Sequence, residues 1–406
     1  MIRELTADCV HCGFCLPTCP TFVLWSEEMD SPRGRIHLMD ARLDGTVELN
    51  RTVATHFDRC LGCMACVSSC PSGVRYDRLI ESARAAVEEE YRRPLGDRVL
   101  RGALFQLLPH PRRLRAALRL APVGRAVPLP RRLRPLADVA PRWRGRGDVA
   151  PVTPAQGAPR GRVGLLTGCV QSAVFPDVNA ATARVLAADG LEVVAPGQGC
   201  CGALSVHAGR LEEGRALARA LVAAFEDVDL VVVNSSGCGS HLKELGWLLE
   251  DERSAAFAAK VRDAGELLGA LTPRAPRHPV ATSIALQDPC HLRHAQRLPL
   301  SYLPVLGRIP GLEVVEPAEQ DLCCGSAGIY NVVQPDAARE LGDRKAAHVL
   351  ATGASAYASA NPGCLVQVSH ALHRAGRPLP SLHPIELVDA SIRNLGAARL
   401  LTRARR

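Results

Sequence analysis

Two hydrophobic periods alternate through the second half of the chain. RVGLLTG, ending at Gly168, is a short apolar run of the length of a buried strand. NAATARVLAADG follows with apolar residues at helical spacing and stops at Gly190, a residue suited to the position just past a helix end. LEVVAP reads as a strand, RLEEGRALARALVAAF as a helix and LVVVNSSG as a strand, with a further helix after it. Strands of buried type alternating with helices predict a parallel sheet. The first 91 residues lack this alternation. GRIHLMDARLDG and YDRLIESARAAVEEEYRR predict helices there.

The second half is duplicated. GLEVV occurs at 190–194 and again at 311–315, an offset of 121. Eight cysteines divide into two sets with nearly that offset: Cys169, Cys200, Cys201 and Cys238, then Cys290, Cys323, Cys324 and Cys364. Each set contains a CCG triplet, and each cysteine follows a predicted strand and precedes a helix. In open α/β sheets that edge is where ligands bind, and helix N-termini there favour thiolate.

Adjacent cysteines are poor disulfide partners. Their Cα atoms lie about 3.8 Å apart, below the usual range of about 4.4–6.8 Å. MIRELTADC has no basic-then-apolar export signal, and no run of about 18 apolar residues predicts a membrane span. A cytoplasmic chain keeps its thiols reduced, so 16 cysteines point to metal. The vicinal pairs are read as presenting two sulfurs to one cluster, closed by Cys169 and Cys238 in one repeat and by their counterparts in the other.

The remaining eight cysteines form two runs, CVHCGFCLPTCP and CLGCMACVSSCP, both C-x2-C-x2-C-x3-C-P. This spacing is that of two-cluster ferredoxins, in which the fourth cysteine of each run serves the other cluster. One [4Fe–4S] cluster is therefore assigned to Cys9, Cys12, Cys15 and Cys70, and the other to Cys60, Cys63, Cys66 and Cys19. Zinc sites usually pair C-x2-C without the third cysteine.

Length and charge complete the division. A chain of 406 residues, 47% of them apolar, suits several domains with real cores. Residues 92–146 hold 15 arginines and two acids, a net +13; with +8 overall, the rest carries −5. This proline-rich stretch reads as a connector with one or two short helices, or as a docking surface for anionic lipid or an acidic partner. No nucleic-acid module accompanies it. The expected architecture is α+β multidomain: a helical two-cluster ferredoxin-like domain at 1–91, a basic connector at 92–161, and two duplicated α/β parallel-sheet CCG domains at 162–275 and 276–406. GQGCCG, at Gly197, Gly199 and Gly202, matches G-x-G-x-x-G, but the next strand ends in Asn234 and Ser235 rather than an acid. Neither a flavin nor an NAD site is expected in this chain.

These motifs resemble the iron–sulfur subunit of glycolate oxidase (glycolate dehydrogenase). CVHCGFCLPTCPTF, SPRGRIHLM, CPSGVRY, NAATARVL, GCCGALSVH, SSGCGSHLKELG, DPCHLRHAQ and LCCGSAGIYN carry the resemblance over nearly the whole chain. It implies an oxidoreductase subunit, inactive alone, that carries electrons from a flavin-containing partner oxidising glycolate to a quinone-type acceptor. The implied location is the cytoplasm, with peripheral contact at the membrane face. Lactate and glycerol-3-phosphate dehydrogenase subunits and CCG-type disulfide reductases share the architecture and give the alternative readings. One departure bears on the last. The C-x-x-C that ends disulfide-reductase CCG motifs reads here Cys238-Gly-Ser-His241 and Cys364-Leu-Val-Gln367. A further cluster in each repeat would therefore rest on four cysteines. His241, His291 and His294 read as hydrogen-bond donors or packed residues behind the ligands.

Overall fold

The computed structural model of the protein describes residues 2–126 and 147–405. The N-terminal region is helical: α1 (Ile2–Ala7), α2 (Pro20–Trp25), α3 (Pro32–Leu43), α4 (Arg51–Asp58), α5 (Ala65–Ser68) and α6 (Tyr76–Glu90). Local chemistry sets these boundaries. Ser31 Oγ accepts from Gly34 N at 3.0 Å and Pro32 opens α3. Asn50 Oδ1 caps α4 by accepting from Thr52 N and Val53 N. Ile36, Met39, Val53, Phe57, Leu79, Ile80 and Val87 form the core between these helices. Beside it, Asp30 and Arg35 are fully buried; Asp30 also meets His56 at 3.0 Å and Arg59 at 2.7 Å.

The basic segment contains two helices, α7 (Leu95–Leu107) and α8 (Pro111–Ala126), longer than its composition suggested. They are packed as well as solvated. Leu104, Phe105, Leu114 and Leu118 are buried, while Arg112 and Arg113 face solvent. Residues 127–146 of the segment lie outside the described residues.

The two repeats are two sheets. β1 (Val152–Thr153), β2 (Gly161–Leu166), β3 (Leu191–Val194), β4 (Leu230–Val233) and β5 (Val261–Asp263) are ordered β1-β3-β2-β4-β5. β6 (Thr282–Gln287), β7 (Leu312–Val315), β8 (Ala356–Ser359) and β9 (Ser381–Leu382) are ordered β7-β6-β8-β9. Every pairing is parallel except β1 with β3. The duplication extends to register: Gly161 pairs with Leu191, and Thr282, 121 residues on, pairs with Leu312. β2 and β4 are buried on both faces at Val163–Leu166 and Val231–Val233, which explains their apolar runs, whereas β3 alternates, with Leu191 and Val193 buried and Glu192 and Val194 half-buried.

One hydrophobic core runs through both sheets, from Leu165 and Val185 to Ile284, Leu365 and Ile385. The helix Pro176–Ala188 of the first repeat packs on Pro384–Ile392 of the second, fastened by a bidentate Arg184–Asp389 pair at 2.8 and 2.7 Å. The carboxyl ends of β4 and β8 meet, with Ser236 N donating to Ala360 O at 3.2 Å. The ligand-binding edges of the two sheets thus face each other. Among the described residues no helix is long and apolar enough to cross a membrane.

Candidate functional site

The two N-terminal runs occupy different depths. Cys9, Cys12, Cys15 and Cys70 line one small cavity of about 30 Å³ together with Cys66. Cys12 is exposed and Cys9, Cys15 and Cys70 are half-buried. Burial raises the Cys9 thiol pKa, and nearby Cys70 and Cys12 add to the rise. Cys19, Cys60, Cys63 and Cys66 are all buried. Burial pushes the Cys66 thiol well up, and Cys63, Cys60 and Cys19 act on it in the same direction. The fourth cysteine of each run therefore lies with the other run.

The CCG cysteines sit at the facing sheet edges. Cys169 opens the helix after β2, with its Sγ 3.3 Å from Cys200 Sγ. Cys238 lies in the helix Ser236–Lys243 after β4. In the second repeat Cys290 Sγ is 4.0 Å from Cys323 Sγ and Cys324 Sγ is 3.4 Å from Cys364 Sγ. The glycine of each triplet is required by space as well as conformation. Gly202 and Gly325 have φ of +93° and +86°, and a Cβ on either would lie 2.6 Å from a carbonyl oxygen, of Gly214 and Ala338 respectively.

The two sets share one cavity of about 540 Å³. Cys169, Cys200, Cys201 and Cys238 line it from one repeat, Cys290, Cys323 and Cys364 from the other, and Cys60 from the helical domain. In each set one sulfur collects the hydrogen bonds of its neighbours. Contact with the Cys169 and Cys201 thiols lowers the Cys200 pKa, and contact with the Cys323 and Cys364 thiols lowers that of Cys324.

The surroundings suit anionic clusters bound through thiolates. Gly62 N donates to Cys60 Sγ at 3.3 Å, Gly202 N to Cys200 Sγ at 3.5 Å and Asn361 Nδ2 to Cys364 Sγ at 3.6 Å. Two buried cations stand close: Lys345, 1% exposed, feels Cys324, Cys323 and Cys364, and Arg35 feels Cys60 and Cys19. Among the described residues no three His, Cys, Asp or Glu side chains form a single-ion site.

Residues far apart in sequence join the domains. Leu61, Cys63 and Ala65 pack with Leu322, Cys323 and Tyr330. His291 Nε2 lies 2.9 Å from Gly62 O and its Nδ1 2.6 Å from Ser240 Oγ. His294 Nδ1 meets Ser68 Oγ at 2.7 Å and its Nε2 meets Asp321 O at 3.1 Å. Both rings are thus engaged by protein groups. Sequence reading missed Glu81, whose Oε1 is 2.8 Å from His207 Nδ1, and Arg84, which donates to His207 O at 2.6 Å and to Cys60 O. Burial raises Glu81 to about 7 and lowers His207 to about 4.

Comparison with known proteins agrees with this geometry. A 4Fe-4S dicluster domain family matches residues 6–74, and a cysteine-rich (CCG) domain family matches 163–243 and 284–369. The chain is 38% identical over 398 residues to the probable glycolate oxidase iron-sulfur subunit of Bacillus subtilis, covering 91% of this chain and 89% of that protein. It is 36% identical over 414 residues to the glycolate oxidase iron-sulfur subunit of Escherichia coli, covering 96% of each. Lactate utilization protein A of Exiguobacterium is 27% identical over 57% of this chain and 98% of its own length. A solved structure of a hypothetical protein from Helicobacter pylori superposes with a TM-score of 0.51 at 10% identity, over 89% of this chain and 68% of that one, a likeness of fold alone. With matching domains at both ends and relatives aligned over nearly their full length, the chain belongs to the glycolate oxidase iron–sulfur subunit family.

Proposed function

We propose that this chain is the electron-transfer subunit of a flavin-dependent glycolate dehydrogenase complex delivering to a quinone-type acceptor. An iron–sulfur role in a hydroxyacid dehydrogenase already follows from its family. In the finer reading, Cys9, Cys12, Cys15 and Cys70 hold one [4Fe–4S] cluster, and Cys60, Cys63, Cys66 and Cys19 hold the second. Each CCG set holds a further cluster through its four cysteines. Such clusters supply one-electron transfer, whereas removing hydride from a 2-hydroxyacid needs an organic acceptor, assigned here to the flavin partner.

The observation that carries this reading is the graded placement of cysteines. Cys12 is exposed, Cys63 is buried, and Cys63 packs in one cluster of side chains with Cys323 and Cys290. Side chains make this inward route: Arg35 and Lys345 compensate negative charge, and Gly62 and Gly202 donate to sulfur. The disulfide-reductase alternative lacks the fifth cysteine in both repeats, where His241 and Gln367 stand.

Anaerobically purified chain should contain at least about eight iron and eight sulfide from the two ferredoxin-type clusters. Alone it should not oxidise glycolate; with its flavoprotein partner it should pass glycolate's electrons to a quinone analogue. Cys324→Ser should impair that transfer while substrate still bleaches the flavin. Stoichiometric zinc in place of iron, or glycolate oxidation by the flavin-free chain, would overturn the assignment.

A further inference from the structure

The cavity shared by the CCG sets has a second wall that holds no cysteine. α7 and α8 contribute Leu104, Leu107, Leu114 and Leu118, and the segment around the helix Tyr330–Val333 adds Ile329 and Val332. Of its roughly 540 Å³, the cysteine-lined side is the space assigned above to the CCG clusters, and the side toward α7, α8 and Tyr330–Val333 is what a second occupant would fill. Besides His207, three lining residues carry buried polar atoms without a hydrogen-bond partner among the described residues: both carboxamide atoms of Gln171, Ser236 Oγ and Tyr330 Oη. These residues are 2%, 1% and 4% exposed. Groups so deeply buried are normally satisfied, so three of them lining one cavity indicate a ligand with oxygen atoms.

We propose that this cavity is the binding site of the terminal electron acceptor, an apolar para-quinone whose ring oxygens meet Gln171, Ser236 and Tyr330 and whose hydrocarbon part lies on the α7–α8 leucines. The proposal rests on the electron-transfer reading above. The cavity's charge argues against the hydroxyacid itself as occupant. A carboxylate asks for a free cation, and the lysine and arginine side chains lining the cavity are Arg84 and Arg101. Arg84 is taken by His207 O and Cys60 O, and Arg101 by Asp97 and Asp58 at 3.1 and 3.2 Å. Neutral donors facing an apolar wall suit a carbonyl on a hydrophobic ring. The outer faces of the same helices expose Leu95, Val99 and Leu120, 73%, 62% and 68% accessible, beside Arg112 and Arg113. Such a surface suits the lipid interface from which a hydrophobic quinone arrives.

The chemistry balances with protons from this chain. Oxidation of the hydroxyacid to the oxoacid on the partner releases two electrons and two protons. Reduction of the quinone consumes two electrons and two protons, and both C=O groups become C–OH. His207 lines this cavity and also a second one of about 280 Å³ that contains Glu81, Asp77, Arg75 and Trp247. Its Nδ1 is paired with Glu81 at 2.8 Å, and its Nε2 is buried with no partner. A neutral imidazole so placed takes a proton on one nitrogen and gives one from the other, which makes Glu81–His207 the route into the cavity.

The test uses the full chain in complex with its flavoprotein partner. A photoreactive azido-benzoquinone with a short alkyl tail should label peptides from α7, α8 or residues 326–333, and Leu107→Trp, which fills the cavity, should abolish the labelling. Gln171→Leu should raise the quinone KM about tenfold, the worth of one lost hydrogen bond, with the rate to ferricyanide unchanged. Glu81→Gln should lower kcat for the quinone about tenfold or more at unchanged KM, as loss of a proton donor does, and should increase the solvent isotope effect. Labelling elsewhere, or an unchanged quinone KM in both Leu107→Trp and Gln171→Leu, would overturn the site and leave the electron-transfer reading intact. Cavity labelling in a wild-type complex that delivers hydroxyacid electrons to neither acceptor would support the site and defeat that reading.

Discussion

Replacing Gly325 by alanine separates two reasons for a glycine in the CCG triplet. The backbone at Gly325 has φ +86°, and the new Cβ would lie 2.6 Å from Ala338 O, 3.0 Å from Ala338 Cα and 3.1 Å from Leu341 Cβ. These atoms belong to the long helix Pro335–Ala351 and cannot swing away. Left-handed backbone costs an alanine about 1–2 kcal/mol. Overpacking against a fixed backbone adds about 1–3 kcal/mol. Gly325→Ala should therefore cost about 2–5 kcal/mol in total. Gly353 supplies the control: its φ is +69°, but nothing lies within 4 Å of its Cβ position, so Gly353→Ala should cost only about 1–2 kcal/mol. Urea denaturation under anaerobic conditions measures both, and the rate of Cys323 and Cys324 alkylation reports whether the adjacent sulfurs have moved. Equal losses in the two variants, with alkylation unchanged, would refute the claim that close helix approach fixes this glycine.

The other expectations concern buried charge and the basic helices. Burial raises Glu81 from 4.5 to about 7 among His207, His241, Arg84, Asp77 and Glu244, so the Glu81 contribution to stability should fall as pH rises from about 4.5 through 7, which comparison with Glu81→Gln isolates from the buried histidines. Glu81→Gln should then be the more stable protein at pH 8, by up to about 3 kcal/mol, and equal to wild type near pH 4; equal Tm values at both pH values would count against it. Asp30→Asn strips the counter-charge from fully buried Arg35 and should cost about 3–5 kcal/mol, whereas a loss below about 1 kcal/mol would place that pair among the weak surface ones. Arg112→Glu with Arg113→Glu should weaken sedimentation with anionic vesicles, most at low salt; unchanged sedimentation would leave α8 a packing helix only. Arg115 is a poorer choice for that test because it donates to Ser172 O at 3.0 Å.

The parts legible in the sequence are those with a local repeat. Short apolar runs and helical spacing marked the strands and helices of the sheets, and the offset of 121 recurs in the pairing of Thr282 with Leu312. The C-x2-C-x2-C-x3-C spacing makes the two runs legible as a pair because short loops hold three of the four cysteines of each run close together. Contacts between distant residues left no such trace. Glu81 and His207 are 126 residues apart, and nothing in either neighbourhood announces the other. The length and packing of α7 and α8 were hidden for a different reason: prolines and arginines dominate the composition, and the leucines that pack are too few to dominate it. β1 has only two residues, too short to show a period.

Duplication made two similar half-sites, but their neighbours make them unlike. The helical domain touches both repeats: Leu61 and Cys63 pack on Cys323 and the ring of His291 reaches Gly62 O, while Glu81 and Arg84 reach His207 of the first repeat. The basic segment also bridges them: the helix Cys169–Val174 packs on α8, with Arg115 tied to it, and Leu104 and Phe105 of α7 pack on Ile329 and Val332 of the second repeat. The shared cavity consequently has one side toward buried ferredoxin-type cysteines and another toward apolar helices. A symmetric pair of sites would give no direction to electron flow. In the proposed reading, reducing equivalents would arrive beside Cys290 and Cys323, and an apolar acceptor would meet them from the α7–α8 side. Function thus follows from the packing partners, which duplication alone does not supply.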